Sequence, residues 1–421
     1  MKDETLCLHA GYSPRNREPR VVPIVQSTTY VYDNIEEIGG VFDDPTKSLI
    51  YSRFANPTVM AVEQKIAALE GGIAAMCTTS GQAATLIAVL NLCKAGDSFI
   101  SPVQIYGGTT NLFAHTLNKL GIECIFVDAG ADEKTLNNAF KPNTKAVFGE
   151  TLSNPSLTVL DIEKFAKIAH AHNVPLIVDN TFATPALCKP IEFGADVVVH
   201  STSKYMDGHA VQIGGVIIDS GKFDWKNGNF PDMTEPDVTY HGISYTETYG
   251  DSAYIIKARM QLMRDYGAYP AAHSAFLLNL GLETLSIRME RYCQNASKVA
   301  EYLNASDKIQ GVTYPGLATD KYYELAKKYL KGSSGVIACE IKGGRENAIK
   351  FINALKLVSI EVHVADIRTS VLHPASTTHR QLSEEQLAEA GISDNLVRIS
   401  VGLEHIDDIL EDIGQALESI F

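Results

Sequence analysis

The sequence predicts an α/β fold, a mostly parallel sheet covered by helices, followed by a smaller C-terminal α+β domain. Two observations carry the first part. From Pro57 to about residue 218, short apolar runs alternate with helical stretches roughly a dozen residues long. The runs AAMCTT, SFISP, CIFVD, AVFGE, PLIVDN, DVVVHS and GGVIID are apolar almost throughout rather than at every second position, as strands buried on both faces of a parallel sheet must be. A third observation gives the second domain. Beyond residue 264, GVIACEI and VSIEVHV alternate with period two between helical segments.

In chain order, PTVMAVEQKIAALEGG is an amphipathic helix with Pro57 at its start and Gly71 and Gly72 at its stop. AATLIAVLNLC, GTTNLFAHTLNKLG and IEKFAKIAHAHN supply crossover helices between strands. Residues 219–252 break the rhythm, being rich in Gly, Asn, Asp and Tyr and holding the only tryptophan, Trp225. Such a segment is either a binding loop or a solvated excursion, and composition does not separate the two. One long helical pattern, AAHSAFLLNLGLETLSIRMERYCQNASKVAEYL, then leads to the second domain, where ENAIKFINAL and EHIDDILEDIGQALESI are helical.

The 421 residues, 45% hydrophobic, suffice for two or three domains. With 50 acidic against 36 basic residues the net charge is −14, which disfavours nucleic acid and anionic membranes as partners. An anionic ligand would need a pocket of opposite local charge. Apolar stretches are too short to span a bilayer, and MKDETLCLHAGYSPRNREPR lacks the apolar core of a secretory signal. The seven cysteines are odd in number and include no CxxC, so neither a zinc site nor a disulfide framework is expected, and the cytoplasm is the expected compartment.

In an open parallel sheet ligands bind beyond the carboxyl ends of the strands, so the residues just past each apolar run are the informative ones. AAMCTT is followed by Ser80-Gly81-Gln82 and a helix, SFISP by Tyr106-Gly107-Gly108, and AVFGE by Asn154-Pro155. PLIVDN ends in Asp179-Asn180-Thr181, and DVVVHS leads into Ser201-Thr202-Ser203-Lys204-Tyr205. Each set has an ordinary reading: Ser80 as an N-cap, Asp179 as a strand end, Tyr106 as a packing aromatic, Lys204 as a solvated cation. Together they supply a helix N-terminus suited to phosphate, a carboxylate, a flat ring and an amine able to form an imine. That is the inventory of a pyridoxal phosphate site. No GxGxxG or Walker A pattern occurs, and His200, His209, His241, His363, His373 and His379 show no metal-ligand spacing; they read as loop or core histidines.

DVVVHSTSKYMDGH resembles the lysine signature of the Cys/Met-metabolism (transsulfuration) family of fold-type I pyridoxal-phosphate enzymes. YSRFANPT, at 51–58, is similar to that family's phosphate-clamping segment, and TSGQAA, ETLSNP, VDNTFATP and VRISVGLE match in the family's order. The resemblance covers nearly the whole chain. It implies that Lys204 carries the cofactor as a Schiff base and acts as the catalytic amine. The amides of Gly81 and Gln82 with the hydroxyls of Ser201 and Ser203 would hold the phosphate. Tyr51 and Arg53 would reach the phosphate of a neighbouring subunit from an N-terminal arm, 1–56, ahead of a cofactor-binding domain, 57–264, and a C-terminal part, 265–421. Tyr106 would stack on the ring and assist catalysis, Asp179 would bind the ring nitrogen, Asn154 the ring hydroxyl, and Thr181 would lie near the ring. Arg398 would bind the substrate α-carboxylate.

Within the family, HPASTTHRQL at 373–382 and EPDVTYHG look like the O-acetylhomoserine sulfhydrylases. Gly108 stands where methionine γ-lyases typically carry cysteine. The segment from His363 to Ser370 lacks the glutamate of cystathionine synthases and lyases. It also departs from the commoner sulfhydrylase pattern, which has Asn at the position of His363 and Gly at that of Ala365. The resemblance thus implies γ-replacement on O-acetyl-L-homoserine by sulfide or methanethiol, in a homotetramer of dimers that share active sites. Within the family, γ-elimination and a cystathionine γ-synthase-like reaction are the alternatives. A catalytically silent protein that keeps the fold is the alternative outside it, and intact Lys204, Asp179 and Arg398 weigh against that.

Overall fold

Each of the seven apolar runs becomes a strand of one sheet: β1 Ala74–Thr78, β2 Ser98–Pro102, β3 Glu123–Val127, β4 Thr144–Glu150, β5 Leu176–Asp179, β6 Val197–Ser201 and β7 Gly215–Asp219. The computed structural model describes residues 1–43, 49–378, 380, 383, 385, 387 and 391–421. Strand order is β1-β7-β6-β5-β4-β2-β3. The five strands from β6 to β3 are parallel to their neighbours. β7 runs antiparallel to both β6 and β1, and the cause is local: residues 202–214 contain no helix, so the chain returns beside β6 without a crossover.

Alternate residues explain why the strands are apolar throughout. Val198 and Ile218 point into one core with Ile66 and Leu69 of the helix Pro57–Glu70 and Phe165 of the helix Ile162–Ala171. Val197, Val199 and Ile217 point into the opposite core with Ile87 of the helix Gly81–Leu90 and with Phe113. Both faces are covered. The segment 219–252 is neither a lid over the strand ends nor a solvated excursion at its centre. Trp225 is 3% exposed, stacks on Tyr254 at 5.1 Å between centroids and meets Phe230 edge-on.

The long helical pattern divides at Thr284 into Ala272–Glu283 and Leu285–Ala305. There the buried guanidinium of Arg288 donates to the carbonyls of Gly281 (2.6 Å), Tyr205 (2.7 Å) and Met206 (3.3 Å), tying this bend to the turn that carries Lys204. A second sheet follows, of β8 Ile309–Thr313, β9 Val336–Ile341, β10 Ser359–Ile360, β11 Ser370–Leu372 and β12 Leu396–Ser400, in the order β10-β11-β12-β9-β8. VSIEVHV yields only the two-residue β10. The chain then leaves the sheet because the side chains and backbone of other elements take its polar groups. Arg398 donates to the His363 carbonyl at 3.0 Å, the Ser400 hydroxyl accepts from the Ala365 amide at 2.8 Å, and the Ile367 amide donates to Gly208 at 2.8 Å. Ala365 is left at φ +67, a left-handed conformation that glycine adopts without cost.

The start of the first long helix also anchors the N-terminal segment. Asn56 caps it, its side-chain oxygen accepting from the Thr58 amide at 3.0 Å while its Nδ2 donates to Val25 at 2.8 Å. Thr58 Oγ1 bonds the same segment twice, at Pro23 and Val25. Asn56→Ala is therefore expected to destabilise the protein by about 1–2 kcal/mol, read as a lower urea midpoint with an unchanged slope. An unchanged midpoint would show that the segment does not depend on this cap.

Candidate active site

The five parallel strands open their C-terminal ends along one edge, and there a cavity of about 670 Å³ lies between the two sheets. Ser80, Gly81 and Gln82 line it from the turn after β1, Tyr106 from the loop after β2, Asn154 from that after β4, and Asp179 and Thr181 from the end of β5. Ser201, Ser203 and Lys204 come from β6 and its turn, and Arg398 from β12 across the gap. All the strand-end sets expected from the sequence thus meet. Tyr51 and Arg53 do not line this cavity. Tyr51 is 40% exposed, and the Arg53 guanidinium lies over the Tyr51 ring at 5.4 Å and donates to the Arg264 carbonyl. His379, Gln381 and Leu382 of HPASTTHRQL lie outside the described residues.

The anion-binding end is built by close approach. Ser80 caps the helix Gly81–Leu90, its hydroxyl accepting from the Ala83 amide at 3.1 Å, so the N-terminal amides and the helix dipole face the cavity end. A Cβ on Gly81 would stand 2.6 Å from Ser201 Cβ and 2.8 Å from Ser201 Cα; only glycine lets the helix start abut the end of β6. Ser203 is held by Gly214, whose amide donates to its hydroxyl at 3.0 Å.

At the other end, Asp179 Oδ1 accepts from the Thr181 amide (2.9 Å) and hydroxyl (2.5 Å), and the same hydroxyl accepts from the Ser201 amide at 2.9 Å. Asp179 Oδ2 makes no hydrogen bond among the described residues and is left for a ligand. Burial raises the pKa of this carboxyl, against the lowering effect of the Thr181 bonds. Lys204 is lowered to about 8, by burial first and by the charge of Arg398 second. Arg398 is 5% exposed and makes no salt bridge among the described residues. Its guanidinium donates to Asn154 Oδ1 at 3.2 Å and to the His363 carbonyl, and burial brings it down to about 10. A buried cation without a counter-ion is costly, so this one calls for an anionic ligand.

Two residues were not picked out from the sequence. Glu150, the last residue of β4, is 7% exposed, lines the cavity and accepts from the Tyr106 amide at 2.7 Å; its position at the end of an apolar strand was the available signal. His363, expected as a loop or core histidine, also lines the cavity, with Nδ1 3.2 Å from Lys204 Nζ. Burial and the neighbouring lysine lower it to about 4, so it is neutral near pH 7. Its segment departs from the commoner sulfhydrylase pattern, but nothing local to it specifies that the ring meets Lys204.

The donor set fits pyridoxal phosphate: a phosphate cradle, an amine of lowered basicity and a free carboxylate oxygen for a ring nitrogen share one cavity. A sequence profile of the Cys/Met metabolism PLP-dependent enzymes matches residues 4–418. An O-acetyl-L-homoserine sulfhydrylase of Leptospira meyeri is 45% identical over 100% of this chain and 97% of its own length. A homocysteine synthase of Schizosaccharomyces pombe is 48% identical over 99% and 98%. A Campylobacter jejuni crystal structure, described as an O-acetylhomoserine (thiol)-lyase with a pyridoxyl-lysine monophosphate, superposes with a TM-score of 0.96 at 39% identity, covering 99% of this chain and 100% of that one.

Proposed function

We propose, on the premise that this chain belongs to the Cys/Met metabolism PLP-dependent enzyme family, that it replaces the γ-acetoxy group of O-acetyl-L-homoserine with sulfide, giving L-homocysteine and acetate. Methanethiol in place of sulfide would give L-methionine. The observation that carries an amino-acid substrate is Arg398, buried without a carboxylate partner among the described residues in the same cavity as Lys204 and Asp179. The choice of reaction draws support from relatives 45% and 48% identical over the whole chain. Gly108, where methionine γ-lyases typically carry cysteine, favours replacement over γ-elimination; a Cβ there would stand 2.5 Å from the Tyr106 ring.

Pyridoxal phosphate, when bound, supplies an electron sink that makes first the α- and then the β-protons of the amino acid acidic and so lets a γ-substituent leave. The residues of this chain do the rest. Gly81 and Gln82 amides with Ser201 and Ser203 would hold the phosphate; Asp179 Oδ2 would hold the ring nitrogen; Thr181 orients Asp179; and Tyr106 would cover a ring face and assist departure of the leaving group. Because Asn154 Oδ1 accepts from Arg398, its Nδ2 is the atom left to donate to the ring hydroxyl oxygen. Arg398 presents a planar fork to the α-carboxylate. Lys204, lowered to about 8, is partly unprotonated near neutral pH, so its free amine can take the α-proton and return it.

The N-terminal arm, 1–56, is assigned to the partner subunit: Tyr51 and Arg53 would complete the partner's phosphate site, in dimers paired as tetramers. The cytoplasm is the compartment that suits the enzyme, since all seven cysteines are free thiols. Among the described residues no helix is long and apolar enough to cross a membrane.

Purified enzyme assayed with O-acetyl- and O-succinylhomoserine, each with sulfide and methanethiol, should make homocysteine fastest from the acetyl ester with sulfide. Release of a 2-oxo acid and ammonia as the main products would establish elimination instead. Lys204→Ala should keep the far-ultraviolet circular dichroism of the native fold and lose turnover; wild-type turnover after dialysis would end the assignment. Arg398→Ala should weaken the transition-state interaction with O-acetylhomoserine by roughly 2–5 kcal/mol, seen in kcat/KM, and cofactor affinity much less. Equal kcat/KM in variant and wild type would remove Arg398 from the substrate site. Finally, Arg53→Ala and Lys204→Ala subunits, each inactive alone, should recover activity when exchanged, because a mixed dimer holds one site with both an intact lysine and an intact clamp. Tagged hetero-oligomers without activity would show that Arg53 does not act across the interface.

A further inference from the structure

Glu150 is a buried acid with no basic partner. It makes no salt bridge among the described residues, and its neighbour in the sheet is another acid: β4 and β5 pair in parallel with Glu150 opposite Asp179. Adjacent buried carboxylates repel, and a glutamine would satisfy the same amide donors without that repulsion. Three contacts make the position more than a strand end. The Tyr106 amide donates to Oε1 at 2.7 Å, the Asn154 amide donates toward the same carboxylate, and Asp179 lies alongside. Tyr106, Asn154 and Asp179 are the three residues assigned to the stacking face, the hydroxyl and the nitrogen of one ring.

We propose that Glu150 is a positioning residue for the cofactor ring. It fixes the backbones of Tyr106 and Asn154 against Asp179 and adds a second negative charge behind the carboxylate that meets the cationic ring nitrogen, a role that presupposes the pyridoxal phosphate reading of the cavity. The geometry explains why a carboxylate stands there. Repulsion within the pair is uncompensated in the empty cavity and is relieved when a cation arrives at Asp179. Both acids are raised, Glu150 by burial first and by the charge of Asp179 second, and Asp179 by burial, so the pair takes up protons at a higher pH than ordinary carboxyls do, in competition with a cation at Asp179. Affinity for pyridoxal phosphate must then fall as the pH drops through the titration of the pair. The other ionisable groups around the pair are Tyr106 on the loop after β2, His200 and Lys204 at β6 and its turn, and His363 and Arg398 from across the cavity.

The test is the dissociation constant of pyridoxal phosphate between about pH 5 and 8, with the visible circular dichroism of the bound cofactor as a second readout, for wild type, Glu150→Gln and Glu150→Met. Glu150→Gln keeps an acceptor for the Tyr106 amide and removes the charge. It should retain the visible band and move the acid limb of the affinity curve about one unit to lower pH. Glu150→Met fills the volume without an acceptor. It should weaken binding about tenfold at every pH and diminish the visible band, since the ring would lose its fixed asymmetric surroundings. An unmoved acid limb in Glu150→Gln would refute the charge coupling, and this arm decides alone if Glu150→Met fails to fold by far-ultraviolet circular dichroism. A folded Glu150→Met with wild-type affinity and visible band would refute the positioning role. A wild type that takes up no pyridoxal phosphate would instead sink the cofactor reading itself.

Discussion

Parallel hydrogen bonding between β6, β5, β4, β2 and β3 is the constraint on which the rest of this structure depends. Strands paired in parallel must each be reached by a crossover, so every strand in the set ends on the same edge and hands its next residues to the same side. The register then does finer work. Glu150 pairs with Asp179, and Asp179 with Val199, so two acids and the approach to Ser201 fall within neighbouring rows.

The exception to the parallel rule is as informative as the rule. β7 returns beside β6 without a crossover, and the link between them is the turn holding Ser203 and Lys204. A helix there would carry the lysine away from the sheet edge; a turn keeps it at the cavity. The turn is fixed from behind. Arg288 takes the carbonyls of Tyr205 and Met206, and a Cβ on Gly281 would stand 2.5 Å from the Asp207 carbonyl, so the long bent helix pair lies directly against it. The lysine is therefore held by the joint between the two halves of the chain as well as by its own turn, where the Gly208 amide donates to the Lys204 carbonyl.

Electrostatics in the cavity run opposite to the molecule as a whole. A chain of net charge −14 buries Arg398 without a carboxylate partner among the described residues, and lowers Lys204 first by burial and second by the charge of that cation. The acids of the cavity, Glu150 and Asp179, are kept at its sheet edge, and the anion-binding elements, the helix start at Gly81 and the guanidinium of Arg398, stand apart from them. A ligand with a phosphate, a carboxylate and one cationic nitrogen matches that separation of charge.

Much of this was legible in the chain. Unbroken apolar runs between helical stretches determined a parallel sheet, because only strands buried on both faces read that way. The residues past those runs, Ser80 to Gln82, Tyr106, Asn154, Asp179 and Ser201 to Lys204, determined where a site would form, because parallel strands share an edge. Pro57 and Gly71 determined the start and the stop of one helix. Tertiary structure alone decided what depends on distant partners. VSIEVHV alternates like a strand, yet Arg398 and Ser400 take its polar groups after Ile360, and His363 is thereby carried to Lys204. The aromatic loop around Trp225 became core because Tyr254 stacks on that ring and Phe230 packs edge-on against it. Glu150 ends an apolar run in the sequence, and only the pairing of β4 with β5 sets it beside Asp179. Local periodicity records which face of an element is buried; it does not record which atoms from other parts of the chain will meet there.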